Sequence, residues 1–376
     1  MPLLTRAWTE AAEPGSEPPF RIHKPERTTQ SIHGGPEHAL AWKLSQSPLR
    51  IGESVSNIKD VAANNYPGLV QLARQLDIGL VIAGPDLAVI DGIEGYFRDS
   101  GIPCLEPSKQ AAEVEGLKAF AKEFKWRQGI PTAEYEAFDN YSDVKRKGRV
   151  FLVDQNEAQQ ALGDIMVNLK FGSAGNSVVI EEYLAGNEIS VGPNTGGMGV
   201  YAPVPFVSPV DMEEIERAVL QPTFQGLGVE GRPFVRMLFT KVMLTSSGSK
   251  VLEYNARFGD PETQSLMLLL SNTDLAEVLL ACTKGELVDI DINVSPRFAY
   301  SVTVTAGGYP EKYLTGVHIF HAGTKYVDGQ LVITGGRVFS VTTTGSTLED
   351  AVSVAYSGIK AINFENMFYR KDIAAV

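Results

Sequence analysis

The stretch Leu252-Glu253-Tyr254-Asn255-Ala256-Arg257-Phe258-Gly259-Asp260-Pro261-Glu262-Thr263-Gln264 gathers carboxylates, an amide and a guanidinium. An apolar run from Phe234 to Thr245 precedes it, then Ser246-Ser247-Gly248-Ser249, then Lys250-Val251-Leu252. Apolar runs around a Ser/Gly cluster predict a β-hairpin, here with a second strand ending in an acidic loop. Side chains alternate faces along a strand. Glu253 and Asn255 are therefore expected on one face, with Arg257 on the same parity, and Leu252 and Tyr254 on the other. A carboxylate and an amide oxygen suit nucleotide-bound Mg²⁺, which takes few protein ligands and keeps phosphate oxygens and waters. A guanidinium grips phosphate in its planar fork. An ordinary polar strand end would carry Glu253 and Asn255 equally well, so that pair alone leaves both readings open.

Composition narrows the classes. The 376 residues are 44% hydrophobic and 21% charged, enough for roughly two to three α/β domains. A net charge of −12 argues against a nucleic-acid surface, although loops, Arg and Mg²⁺ can still bind phosphate locally. Cys104 and Cys282 have neither metal-ligand nor redox spacing, as expected in a reducing compartment. No apolar run is long enough to span a membrane. The N-terminus lacks a signal-peptide core, and Glu10, Glu13 and Glu17 argue against a transit peptide. A cytoplasmic protein without nucleic-acid or membrane partners is expected.

The elements that must position the acidic loop read in order. Residues 1–30 are Pro-, Glu- and Thr-rich and are expected to be a poorly packed tail. Gly34-Gly35-Pro36-Glu37 reads as a turn and helix start, and glycine N–H groups at a helix N-terminus can cradle a phosphate or ribose. Ile78 to Ala83 reads as a buried strand followed by Gly84-Pro85-Asp86, and ligands of open α/β sheets bind at the carboxyl ends of strands. A helix is expected from Val89 to Phe97. Ser108 caps one amphipathic helix carrying Ala111, Ala112, Val114, Phe120, Ala121 and Phe124. Ser177 to Leu184 is a strand entering a hinge, and Asp211-Met212-Glu213-Glu214 reads as a capping box. Strands are expected at Tyr300–Thr305, Val317–Phe320, Gln330–Thr334 and Val338–Thr343, then a helix over Leu348–Ile362.

Arg257-Phe258-Gly259-Asp260-Pro261-Glu262 resembles a signature of the phosphoribosylamine–glycine ligase family, within the ATP-grasp superfamily. Gly192-Pro193-Asn194-Thr195-Gly196-Gly197-Met198-Gly199, Gly34-Gly35-Pro36-Glu37-His38-Ala39 and Glu115-Gly116-Leu117-Lys118 are similar to further blocks of that family, in the same order. The resemblance implies a multidomain α/β and α+β protein. A Rossmann-like N-terminal domain is expected at 31–104, an ATP-grasp domain with a shortened lid at 105–291, and a small strand-rich C-terminal domain at 292–376. It implies ATP-dependent ligation of glycine to 5-phosphoribosylamine, giving glycinamide ribonucleotide through a glycyl phosphate in purine biosynthesis, with ATP and Mg²⁺ or Mn²⁺ as cofactors. Some relatives form part of a larger purine-synthesis polypeptide.

Carried onto this chain, Glu253 and Asn255 would hold the metal, and Arg257 and Asp260 would be catalytic. Gly34, Gly35, Glu37, Asn194, Thr195, Gly196, Gly197 and Glu262 would bind substrate. Lys118, Lys147, Glu181, Glu182, Tyr183, Leu184 and Glu188 would bind ATP. His321 is expected to pack rather than act as a base.

The chain also departs from the pattern. Pro36 replaces an Arg, Leu117 a Ser, and the apolar first strand is missing before His33. Only Lys147-Gly148 remains of the phosphate loop, and Ser190-Val191 joins Gly192 directly where the family has two lid strands. A catalytically inactive or mis-spliced isoform acting at most as a binding protein is the alternative. An ATP-grasp ligase for another acid and amine is a third.

Overall fold

The computed structural model describes residues 3–5, 31–32, 35–48, 61–84, 86–143, 162–164, 166–168, 178–182, 184–190, 197–234, 236–305, 317–327, 330–333, 336–362 and 367–374. The first layer holds β1 (Leu3–Thr5), β2 (Ser31–Ile32), α1 (Gly35–Leu44), α2 (Tyr66–Gln75), β3 (Leu80–Ile82), α3 (Asp86–Ile90) and α4 (Ile93–Arg98). β3 is buried throughout, and Val81 bridges Cys104 in parallel. β1 pairs antiparallel with β3, so part of the expected tail supplies a strand. A buried strand leaves N–H and C=O groups that need such a partner. The helix expected over Val89–Phe97 is two, broken at Gly92, whose φ of +85° suits glycine.

The central elements are α5 (Lys109–Gly116), α6 (Lys118–Arg127), β4 (Tyr135–Phe138), β5 (Val178–Glu181), β6 (Asn187–Ser190) and β7 (Gly199–Ala202). Then come α7 (Pro209–Ile215), a π-helical turn (Glu216–Leu220), α8 (Gln221–Val229), β8 (Phe239–Thr245), β9 (Gly248–Asn255), α9 (Glu262–Leu269) and α10 (Leu275–Lys284). Ser108 caps α5 as expected, its Oγ accepting from Ala111 N at 3.2 Å. The single helix expected after it splits at Leu117, whose backbone is extended at φ −123° and ψ 94°. The capping box lies one turn earlier than expected. Ser208 is the cap and Asp211 the third residue of α7, each side chain bonding the other's backbone N–H. Val219, Leu227, Val242, Val251 and Tyr254 form the core beneath the β6–β8–β9 sheet.

The C-terminal part contains β10 (Phe298–Thr305), β11 (Val317–His321), β12 (Thr324–Val327), β13 (Gln330–Ile333), β14 (Arg337–Gly345) and α11 (Leu348–Lys360). β12 was not legible in the sequence; it lies between β13 and β2. The main sheet is antiparallel in the order β11–β14–β10–β7, so β7 crosses from the central part into it. Leu40, Ile82, Leu268, Leu279 and Phe320 share one core, tying the three parts together. Among the described residues no helix is long and apolar enough to cross a membrane.

Candidate active site

The β8–β9 hairpin forms as expected, with Ser246-Ser247 at its turn and Thr245 paired with Gly248. Its register shifts between Lys241 and Val242, leaving one extra residue on β9. This bulge resets the alternation. Val251 and Tyr254, three residues apart, both enter the core, where the Tyr254 hydroxyl meets Thr223 Oγ1 at 2.8 Å. Glu253 and Asn255 keep the expected face. Leu252, the extra residue of the bulge, contributes its carbonyl to the cleft wall, where it accepts from Lys125 Nζ at 3.2 Å. Lys241 sits opposite Glu253, with Nζ 2.9 Å from Oε1.

The cleft encloses about 380 Å³ between the α5–α6 junction, β5, β8 and the end of β9. The break at Leu117 gives each flanking residue a task. Glu115 Oε2 accepts from Ala256 N at 2.6 Å, and its Oε1 lies 3.4 Å from Arg257 Nε. Lys118, exposed at the start of α6, faces the cleft. Lys122 Nζ pairs with Glu181 Oε2 at 2.5 Å and donates to Thr132 Oγ1 at 2.9 Å. Lys125 is buried; its Nζ donates to the Leu252 carbonyl at 3.2 Å and lies 5.5 Å from the Tyr254 ring centroid. Burial and then the Lys122 charge pull the Lys125 ammonium down to about 7. The lining carries more cations than carboxylates, which suits a polyphosphate.

Glu253 and Asn255 present hard oxygens at the cleft, held by Lys241 and, at 3.4 Å, by Arg257 Nη2. This donor set fits Mg²⁺ or Mn²⁺. Among the described residues no three His, Cys, Asp or Glu side chains converge on a metal-sized site. An ion here would complete its shell from phosphate oxygens and water.

Beyond Arg257 the loop turns to a second cluster. Arg337 Nη1 lies 3.1 Å from Asp260 Oδ2, and Gln264 Nε2 donates to Asp260 Oδ1 at 3.0 Å. A side chain on Gly35 would strike Gln264 Nε2, one on Gly84 would strike Glu37 Oε1, and one on Gly197 would strike Arg337. These glycines permit the close packing of α1, the end of β3 and the loop. Glu37 and Glu262 are each pushed up to about 7, first by burial; the Asp260 charge adds to the rise and Arg257 opposes it. Glu37 Oε2 is buried without a hydrogen-bond partner among the described residues. An acceptor-rich, partly protonated cluster of this kind suits a substrate amine.

The structure thus gathers Lys118, Glu181, Glu253, Asn255 and Arg257 in one cleft, and Gly35, Glu37, Gly197, Asp260 and Glu262 beside it. Glu182 turns away to Lys250, Nζ–Oε2 3.3 Å, and Leu184 lies outside the cleft lining. Glu188 pairs with Met243 through β6 and β8. Gly34, Lys147, Tyr183, Asn194, Thr195 and Gly196 lie outside the described residues. Sequence reasoning missed Glu115, Lys122, Lys125, Lys241 and Arg337 as site residues. The 118, 122, 125 spacing was a usable signal, since it places three lysines on one helix face. His321 packs, as expected: its N–H donates to His38 Nδ1 at 3.0 Å and the rings stack at 5.6 Å.

This architecture and cleft define an ATP-grasp protein. A biotin carboxylase domain of Hydrogenobacter thermophilus 2-oxoglutarate carboxylase, solved in complex with MgADP, shares the fold at a TM-score of 0.63 and 14% identity, covering 86% of this chain and 84% of that one. The crystal structure of phosphoribosylamine–glycine ligase from Thermotoga maritima matches at a TM-score of 0.72 and 25% identity, over 91% of this chain and 98% of that one. Three family profiles cover most of the sequence: the phosphoribosylglycinamide synthetase N domain at 32–115, its ATP-grasp (A) domain at 116–192 and 191–263, and its C domain at 299–376.

The chain belongs to the phosphoribosylamine–glycine ligase (phosphoribosylglycinamide synthetase) family. The Caulobacter vibrioides phosphoribosylamine–glycine ligase is 37% identical over 413 residues, spanning 90% of this chain and 96% of the relative. The bifunctional purine biosynthetic protein ADE1 of Schizosaccharomyces pombe is 42% identical over 414 residues, 91% of this chain. The chain spans about half, 52%, of that relative's length. Both alignments run longer than the 376-residue chain, so the relatives carry internal residues that it lacks. The A-domain match breaks at 191–192, where Ser190-Val191 meets Gly192.

Proposed function

We propose that this chain ligates glycine to 5-phosphoribosylamine with ATP, giving glycinamide ribonucleotide, ADP and phosphate in cytoplasmic purine biosynthesis. Glycine's carboxylate attacks the γ-phosphate to form glycyl phosphate and ADP. The phosphoribosylamine nitrogen then attacks the acyl carbon, phosphate leaves, and the nitrogen gives up a proton. The carrying observation is that one loop serves two adjoining sites. Glu253, Asn255 and Arg257 face the lysine-rich cleft, while Asp260 and Glu262 join Glu37 next door. Glu253 and Asn255 would hold the metal ion, which when bound neutralises phosphate charge. Arg257, with a carboxylate neighbour on one side and the cleft on the other, steadies the transferring phosphoryl group. Lys118 and Lys122 bind ATP phosphates, and Glu37, Asp260 and Glu262 orient the amine. The backbone of the hinge from Glu181 to Leu184 would pair with adenine and Glu188 would accept from the ribose hydroxyls, while the 194–197 loop and Gly34-Gly35 would complete the substrate side.

Calorimetry of ATP·Mg²⁺ binding to the purified chain tests this reading. Binding is expected in the wild type and lost in Glu253→Ala, with ligase activity then measured on glycine and phosphoribosylamine. A folded chain that binds no ATP·Mg²⁺ would overturn it.

A further inference from the structure

Each carboxylate that lines the cleft has a cationic partner. Lys122 takes Glu181 at 2.5 Å, Lys241 takes Glu253 at 2.9 Å, and Arg257 faces Glu115 at 3.4 Å. Among the described residues two cations of the lining have no ion pair. Lys118 is exposed, and water serves it. Lys125 is only 1% exposed, and among the described residues its near contacts are the Leu252 carbonyl and the Tyr254 ring. A carbonyl and an aromatic face stabilise an ammonium without balancing its charge, and the carboxylates whose charges reach it, Glu181 and Glu253, are already paired with Lys122 and Lys241. Lys125 sits three residues after Lys122 on the inner face of α6 and lines the cleft with it. A buried cation at the wall of a ligand-sized cleft is completed by an anion entering that cleft.

We propose that Lys125 is a further anion contact of the nucleotide cleft, its ammonium completed by a phosphate group of the bound nucleotide. The inference rests on the reading of the cleft as an ATP site. It assigns to Lys125 a ligand-binding role that costs stability in the empty protein. The test is Lys125→Met, which keeps the length and removes the charge, with thermal unfolding and calorimetry performed with and without ATP·Mg²⁺. The two signs are opposite. Without nucleotide the variant is expected to melt at or above the wild-type temperature, because burying this amine, whether charged or stripped of its proton, costs stability. With saturating ATP·Mg²⁺ it is expected to gain less, and to bind about tenfold more weakly, as the loss of a charge-assisted contact implies. A purely structural lysine would give a lower melting temperature without nucleotide and unchanged affinity, and that result would overturn the proposal. Lys125→Gln, which keeps a donor for the Leu252 carbonyl, repeats the test should the Met variant be insoluble. If the wild type itself binds no ATP·Mg²⁺, the reading of the cleft fails. If the wild type binds and both variants bind equally well, only the assignment of Lys125 fails.

Discussion

Two carboxyls in the second cluster hold protons near neutrality, and the consequence for stability has a definite sign. Glu37 is raised from 4.5 to about 7, first by burial. Between those values the folded chain keeps a proton that the unfolded chain has lost. The resulting stability is fully present below 4.5 and is lost as pH rises through 7. Glu37→Gln fixes the neutral form. The variant is therefore expected to gain on the wild type by on the order of 2–3 kcal/mol between pH 5 and pH 8. Urea unfolding at the two pH values checks this, and an equal difference at both would refute it. At this scale the placing of Glu253, Asn255 and Arg257 along one cleft was legible, because type and parity lay at one strand end. The sequence did not show Glu115, Lys241 or Arg337. Each reaches the site from another element, and an isolated charged residue on a helix or strand reads as solvated until the fold brings its partner.

Local rules located most elements but not their breaks. Ser108 signalled its helix, and the Ser/Gly cluster signalled the hairpin. The split at Leu117, the bulge before Glu253 and β12 were not legible locally: Glu115 before the split is held by Ala256 N, the bulge is a register shift against Lys241, and β12 joins β13 to the remote β2. The first two shape the site: one lets Glu115 brace Ala256 while Lys118 turns to the cleft, and the other sends Tyr254 inward without turning Glu253 away. The capping box was displaced for a simpler reason. Asp211 resembles a cap, but Pro209 is well suited to the first helical turn, so the preceding Ser208 takes the cap position. Ser208→Ala is expected to cost about 1 kcal/mol in denaturant unfolding. Asp211→Ala should cost a similar amount and the double variant less than the sum, because the two side chains serve one reciprocal motif. Full additivity would show that the box does not act as a unit.

At the scale of the molecule, α1 is the junction. It packs on α9 and α10 and on Phe320 of β11, and its His38 edges onto the Phe320 ring at 5.7 Å. His38 Nδ1 accepts from the His321 N–H, so its proton stands on Nε2 in the neutral ring. Burial and the neighbouring His321 pull His38 from 6.5 down to about 4, and burial lowers His321 as well. The sign opposes that of Glu37 and Glu262. Between 4 and 6.5 the unfolded chain binds the His38 proton and the folded chain does not, so this contribution is present above 6.5 and is lost as pH falls toward 4. The molecule thus contains an acid-sensitive seam beside an acid-stabilised cluster, and the two partly cancel over the mildly acidic range. His38→Gln removes the first while leaving the second. At pH 7.5 the variant should be less stable than the wild type, having lost the ring packing. By pH 4.5 it should recover on the order of 2–3 kcal/mol relative to the wild type. Urea unfolding at both pH values measures the two differences. Parallel stability curves would show that the seam between α1 and β11 opens before His38 takes up its proton, and that acid sensitivity lies elsewhere.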